Sequence, residues 1–204
     1  MQTKHQLLLA SAASGILHNV FYSRPTPEFL CSLSSILKQW PLQTVPSKMA
    51  IEHIVNSIEI DDVTTLDEDY HALFVGPGKR HAYPWGSVYT DKEKLLFGDS
   101  TVAFEHFCLS HGIEFELDGN EPTDHVGLLL GALSTLLKQS DPEHLQAVSS
   151  LLEVHLLPWV SAFLDAVDEN SVTGYYRGFS KLLRIWINDW ELNLKLNPTS
   201  TRLY

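Results

Sequence analysis

The chain has 204 residues, 44% of them hydrophobic and 19% charged, and a formal net charge of −11. That length and apolar content are enough for one domain with a proper core. The charge excludes a basic face for nucleic-acid phosphates or for an anionic membrane surface, and favours a cationic partner.

Helical spacing dominates from the first residues. "KHQLLLASAASGILHNVFY" sets Leu9, Ala13, Ile16, Leu17, Val20 and Phe21 at helical intervals. Gln6 abuts its leucine run and serines interrupt it, so it reads as an amphipathic helix rather than a secretory signal. No stretch has the ~18 apolar residues of a membrane span. Pro25 and Pro27 stop this helix. "EFLCSLSSILKQW" predicts a short helix ended by Pro41, and "SKMAIEHIVNSIEI" another with Ile51, Ile54, Val55 and Ile58 on one side. "LDEDYHALFVG" starts acidic, as helix N-termini prefer, and carries Leu66, Tyr70, Leu73 and Phe74 as its apolar stripe.

The long segment "GPGKRHAYPWGSVYTDKEKLLFGDS" reads as a loop with turns at its glycines and prolines, and with a short extended piece at "PWGSVYTD". It is acidic at Asp91, Glu93 and Asp99 and lacks the spacing of a phosphate-binding glycine loop. Trp85 in it is either a buried anchor or a recognition side chain beside a groove. "STVAFEHFCLSHG" predicts a helix capped by Ser100 and stopped by Gly112.

In "GNEPTDHVGLLLGALSTLL", Pro122 is expected to open a helix with Glu121 and Asp124 in its first turn. Val126, Leu129, Leu130, Leu133, Leu136 and Leu137 form the apolar face, and Gly127 and Gly131 let another backbone come close. "DPEHLQAVSSLLEVHLLPW" follows, capped by Asp141 with Pro142 at its first position. Leu145, Val148, Leu152 and His155 share one side, His155 as a core histidine, and Pro158 breaks the helix before "VSAFLDAVDENS". The last helix buries Tyr175, Phe179, Leu182, Leu183, Trp186 and Trp190. The chain therefore reads as all-α, a single compact multi-helix domain over residues 1–204.

Adjacent Asp124 and His125 invite a chemical reading. The ten histidines are scattered, no H-x-x-x-H or H-E-x-x-H pattern exists, and no cysteine is near, so a metal site is not expected. An acid–base dyad needs a nucleophile, and no G-x-S-x-G elbow is present. Two readings stay open: a capping pair with a hydrogen bond at the rim, or a polar pair at the mouth of an apolar groove that holds a peptide. Cys31 and Cys108 read as two reduced, buried thiols of a cytosolic protein.

"LFVGP…PWGSVYTDKEKLLFGDST", "GIEFELDGNEPTDHVGLLL" and "HLLPW…FLDAV" together resemble the TorD/DmsD family of redox-enzyme maturation proteins, over most of the chain from Leu66 to Val167. The E-P-x-D-H signature joined to the upstream P-W-G-S-V block is the specific part. The resemblance implies an all-helical cytoplasmic chaperone, not an enzyme and without a cofactor. Its partner would be the twin-arginine leader of a molybdopterin-containing reductase, such as a dimethyl sulfoxide reductase-like catalytic subunit, held back from export until the cofactor is inserted. Translocase components are a further implied partner; nucleic acid and membrane insertion are not. Leader-binding positions carried over by motif are Leu73, Phe74, Pro84, Trp85, Gly98, Pro122, Asp124 and His125. Glu121 joins Asp124 as an acidic group able to pair with arginines, while Trp85, Phe74 and the leucine face would take the apolar run of the leader. Lys79 and Arg80 depart from the family by placing positive charge in the loop. The alternative function is a hydrolase or nucleotide-binding protein using Asp124 and His125. Monomer and helix-swapped dimer are both open.

Overall fold

The computed structural model describes residues 3–117, 119–139 and 142–204. In chain order its helices are α1 (Lys4–Tyr22), α2 (Pro27–Leu37), α3 (Val45–Ile60), α4 (Val63–Tyr70), α5 (Gly86–Thr90), α6 (Asp99–Ser110), α7 (Val126–Gln139), α8 (Pro142–Ser150), α9 (Leu157–Asn170) and α10 (Gly174–Leu194). Two π-helical turns, His71–Val75 and Leu151–Leu156, extend α4 and join α8 to α9. The fold is all-α, and among the described residues the extended pairing is limited to one bridge, Trp85 with His125.

Backbone contacts cluster in two units. The first comprises Met1–Tyr22, Pro84–Ser161 and Trp190–Tyr204; the second comprises Ser23–Tyr83 and Ala162–Asp189. In the first unit α1 packs along α7. Ser11 Oγ donates to the Ser134 carbonyl (2.7 Å), and Ser134 Oγ donates back to the Ser11 carbonyl (2.8 Å). The anticipated close approach at Gly127 is real: a Cβ there would lie 2.6 Å from Tyr22 Cβ and 3.1 Å from its backbone nitrogen. Every expected apolar residue of α7 is buried, each contributing about 1.5–3 kcal/mol over exposure. After a turn at Lys195 (φ +54°), residues 196–204 form no helix and lie on the same unit: the Thr199 N–H donates to the Glu153 carbonyl (2.9 Å) and the Tyr204 N–H to the Tyr89 carbonyl (3.0 Å).

In the second unit Thr26, Thr44 and Asp62 cap α2, α3 and α4, each accepting a backbone N–H of the following turn. Asp69 on α4 accepts from the Val172 and Thr173 N–H groups (3.2 and 2.9 Å) and from Thr173 Oγ1 (2.6 Å), at the start of α10. Phe74 sits against Tyr70, Phe163 and Tyr176, with ring centroids 5.4–5.9 Å apart. Arg80 donates its Nε–H to the Phe74 carbonyl (2.8 Å) and lies over the Tyr83 ring. The guanidinium that departs from the family pattern thus closes the end of the π-helical turn.

Several local expectations are corrected. "GSVYT" forms α5 instead of an extended piece, because its first-turn N–H groups find acceptors in a remote carbonyl and carboxylate. Gly98, not Ser100, is the N-cap of α6, and the Ser100 hydroxyl turns to Asp124 instead. Glu121, Pro122 and Asp124 precede α7, which starts at Val126; they form an extended approach rather than a first turn. Pro27 opens α2 instead of merely stopping α1. The buried side of α3 is Ala50 and Ile54 with Ser47 and Ser57; Ile51, Val55 and Ile58 are half-buried, so the stripe is rotated toward the small residues.

Pro158 does not break the chain. The π-helical turn before it loosens the ladder where proline has no N–H to give, and Trp159 Nε1–H donates to the His155 carbonyl (2.6 Å). The resulting helical run His144–Asn170 has 27 residues and is apolar enough to cross a membrane by length and composition, yet half of its apolar window is buried within the protein. Cys31 is exposed, on the side of α2 away from Leu30, Leu33 and Leu37; Cys108 is buried, and burial pushes its thiol up to about 12. The Asp141 cap lies outside the described residues.

Candidate functional site

The site is built where the stretch before α7 crosses the stretch before α5, within the first unit. The Gly86 N–H donates to the Asp124 carbonyl (3.1 Å) and the Val126 N–H to the Pro84 carbonyl (2.7 Å), which makes the antiparallel Trp85–His125 bridge. The bridge brings the Asp124 side chain to two helix starts. Its Oδ2 accepts from the Ser87 N–H in α5 (2.6 Å) and from Ser100 Oγ in α6 (2.6 Å); its Oδ1 accepts from Thr101 Oγ1 (2.8 Å). Asp124 therefore caps α5 from far away in sequence and ties the first turn of α6 to it. Helix starts carry unpaired donors and partial positive charge, so a carboxylate can be buried there to 2% exposure with its oxygens satisfied. Gly98 completes this junction by close packing, since a Cβ on it would lie 3.3 Å from Ser87 Cβ. Gly86 is tighter still: its Cβ would meet Trp159 Nε1 at 2.7 Å, beside the Tyr89 ring stacked on Trp159.

His125 faces the other way. Its Nδ1 accepts the Gly127 N–H (3.0 Å), which places the proton of the neutral ring on Nε2. Trp85 and Tyr22 meet it edge-on at centroid distances of 5.5 and 5.1 Å. Burial first, and His18 second, push its pKa down to about 3. Tyr22 also stacks on His18 (5.4 Å), and its hydroxyl donates to Glu121 Oε1 (2.6 Å). His18 Nδ1 contacts the Gly127 carbonyl at 2.7 Å, so it donates there. One sequence of contacts thus runs from Trp85 through His125 and Tyr22 to Glu121, which is half-buried at the surface.

Pro84, Trp85, Gly98, Glu121, Pro122, Asp124 and His125 all belong to this unit, and all but Glu121 and Gly98 are buried. Leu73 and Phe74 belong to the second unit, in its core. Trp85 is 6% exposed, the buried-anchor reading of the sequence. Asp124 and His125 are not hydrogen-bonded to each other, and each has its own partners. The geometry is that of a holding pair and not of an acid–base dyad. No cluster of three or more His, Cys, Asp or Glu is arranged to hold a metal among the described residues. His155 is half-buried, at the edge of the core rather than inside it as expected: it lies 5.6 and 5.0 Å from Phe104 and Phe107, and burial, with His111 second, pushes its pKa down to about 4.

Sequence reasoning missed Tyr22, His18, Ser87 and Thr101. Gly127, two residues after His125, was the local signal for a ring nitrogen turned back on its own backbone. Nothing local announces that Tyr22, 99 residues before Glu121, would bond to it.

The model of the nitrate reductase delta subunit family matches residues 44–165. The chain is similar to the Tat proofreading chaperone DmsD of Salmonella typhimurium, 33% identical over 185 residues that cover 88% of this chain and 87% of that one. It is also similar to the chaperone protein TorD of Vibrio cholerae, 30% identical over 150 residues, covering 67% and 68%. A crystal structure of a candidate redox enzyme maturation protein from Archaeoglobus fulgidus superposes with a TM-score of 0.55 at 19% identity, over 90% of this chain and 95% of that one, and so shares the fold.

Proposed function

We propose a function from one premise: the chain belongs to the nitrate reductase delta subunit family and, in it, to the TorD/DmsD redox-enzyme maturation chaperones. In this reading the protein is a cytoplasmic chaperone. It binds the twin-arginine leader of a molybdopterin-containing reductase and delays export until the cofactor is in place. The observation that carries the reading is the internal satisfaction of the E-P-x-D-H stretch. The Asp124 carboxylate and the His125 Nδ1 are spent on the frame, and Glu121 is the carboxylate the frame presents at the surface, steadied by Tyr22.

A guanidinium pairs well with a fixed carboxylate, since the acceptor loses little freedom on binding. Pro84, Trp85, Gly98, Pro122, Asp124 and His125 then support leader binding by fixing the position of Glu121, not by contact. Leu73 and Phe74 support it through the packing of their own unit. The net charge of −11 draws a cationic leader in and makes its capture salt-dependent. The test is the affinity of the full chain for a synthetic twin-arginine leader. Asp124→Asn and Trp85→Ala are expected to weaken it while the chain stays folded; unchanged affinity in both removes these residues from the site.

A further inference from the structure

The segment Ile113–Leu117, "IEFEL", leaves α6 and joins no helix or sheet. Gly112, at φ +62°, turns the chain, and the Ile113 N–H is held by the Cys108 carbonyl (2.9 Å). From there the side chains alternate. Ile113 is buried, Phe115 packs on Phe104 with ring centroids 6.2 Å apart, and Leu117 is half-buried, whereas Glu114 and Glu116 are exposed. This is the period of a half-buried β-strand. Among the described residues, no main-chain N–H or C=O from Glu114 to Leu117 has a hydrogen-bond partner. An extended segment with an open edge is a template for another strand.

A groove of about 590 Å³ adjoins this edge, lined by Ile113, Glu114 and Phe115 on one side and by residues of α1 and α7 on the other, including Asn19 and Thr135. Gly15 and Gly131 line it too, where α1 and α7 pack closely: a Cβ on Gly131 would lie 3.1 Å from His18 Nδ1. Charge selects the occupant. A second copy paired here would set the same two carboxylates against themselves, and like charges across a strand pair are unfavourable. An extended cationic segment satisfies both the edge and its charge, by the strand-addition mode of peptide recognition.

We propose that Ile113–Leu117 is a docking edge on which an extended arginine-bearing segment of the client leader adds as a β-strand, with a guanidinium on Glu114 or Glu116. The proposal rests on the leader-binding reading above and assigns it a surface distinct from Glu121. Neighbouring residues of a strand point to opposite faces, so one arginine of a pair faces the two carboxylates and the other points away.

Amide hydrogen exchange of the full chain, with and without a synthetic twin-arginine leader, tests it, together with the peptide affinity of the Glu114→Gln/Glu116→Gln double variant. Both substitutions are at exposed positions, so the fold is kept. Expected are exchange at residues 114–117 slowed at least about tenfold by the peptide, and affinity about tenfold weaker in the double variant with a shallower salt dependence. Binding to the wild type with unchanged exchange at 114–117, or wild-type affinity in the double variant, overturns the docking edge and leaves the leader-binding reading standing. Failure of the wild type to bind the leader at all overturns both.

Discussion

Asp124 in the first unit and Asp69 in the second are each 2% exposed, and each is held by donors at a helix start. Asp69 serves one helix, taking the Val172 and Thr173 N–H groups and the Thr173 hydroxyl before α10. Asp124 serves two helices, α5 and α6, and its own backbone belongs to the bridge that crosses them. Glu121 and His125, its near neighbours in sequence, reach a tyrosine of α1. The same device is thus a local cap in one unit and the centre of a frame in the other. Burial of a carboxylate is not in itself a sign of chemistry; what the frame exposes beside it decides its use.

The largest test of this contrast is alanine at each aspartate. Either change strands two or more buried donors, and each is expected to cost about 3 kcal/mol in urea unfolding. Only Asp124→Ala is expected to lose leader affinity per folded molecule. Loss in both variants, or in neither, would erase the distinction between the two carboxylates.

Glycines offer a second matched pair. A Cβ at Gly127 would meet Tyr22 Cβ at 2.6 Å, and one at Gly178 would meet Ile54 Cγ1 at 2.5 Å. Alanine at either position is expected to cost about 2 kcal/mol by overpacking. Since Gly127 also feeds its N–H to His125, leader affinity should fall only for Gly127→Ala; denaturant curves and peptide titrations of both variants check this.

Acid comes next in size. The folded-state pKa of His125, about 3, lies below its ordinary value, so the unfolded chain takes up the proton first as pH falls. Its neutral burial is therefore tolerated above the ordinary histidine range and destabilises as pH drops below it, by about 1 kcal/mol between pH 7 and pH 5.5. His155, at about 4, acts in the same direction. Urea midpoints at the two pH values should draw closer in His125→Gln, with the His155 part remaining; an unchanged gap would mean that His125 is not held neutral. The smallest effect is that of Glu121→Gln. Stability should stay within about 0.5 kcal/mol, because a surface side chain is changed and an amide oxygen still accepts from Tyr22. Leader binding should weaken several-fold, with a reduced salt dependence.

Helical periodicity made most of the fold readable, because apolar residues three and four apart have one way to be buried together. The faces of α7 and α10 are of this kind, down to Leu137 and Trp190. Helix starts were read less well, for a reason visible at Asp124. The N-terminal rule places an acid in the first turn of its own helix, and here the acid serves two other helices. Ser100 shows the converse, a cap-like residue drawn to a stronger acceptor. The continuity of the helix through Pro158 was hidden because the proline rule predicts a break, whereas here a π-helical turn precedes the proline and the chain stays helical across it. Of the candidate site, Pro84, Trp85, Glu121, Pro122, Asp124 and His125 lie in the joined E-P-x-D-H and P-W-G-S-V motifs, whereas His18, Tyr22 and Thr101 lie outside them and come from α1 and α6. The burial of the motif residues was not readable, since a motif carries no sign of which side of a side chain meets solvent.

The most direct measurement is the affinity of the full chain for a synthetic twin-arginine leader against the same peptide with both arginines replaced by glutamine, at low and moderate salt. The expected result is binding of the arginine peptide that weakens with salt and is largely lost in the glutamine peptide. Equal affinity for the two peptides, or no binding of either, would contradict a chaperone that holds a twin-arginine leader.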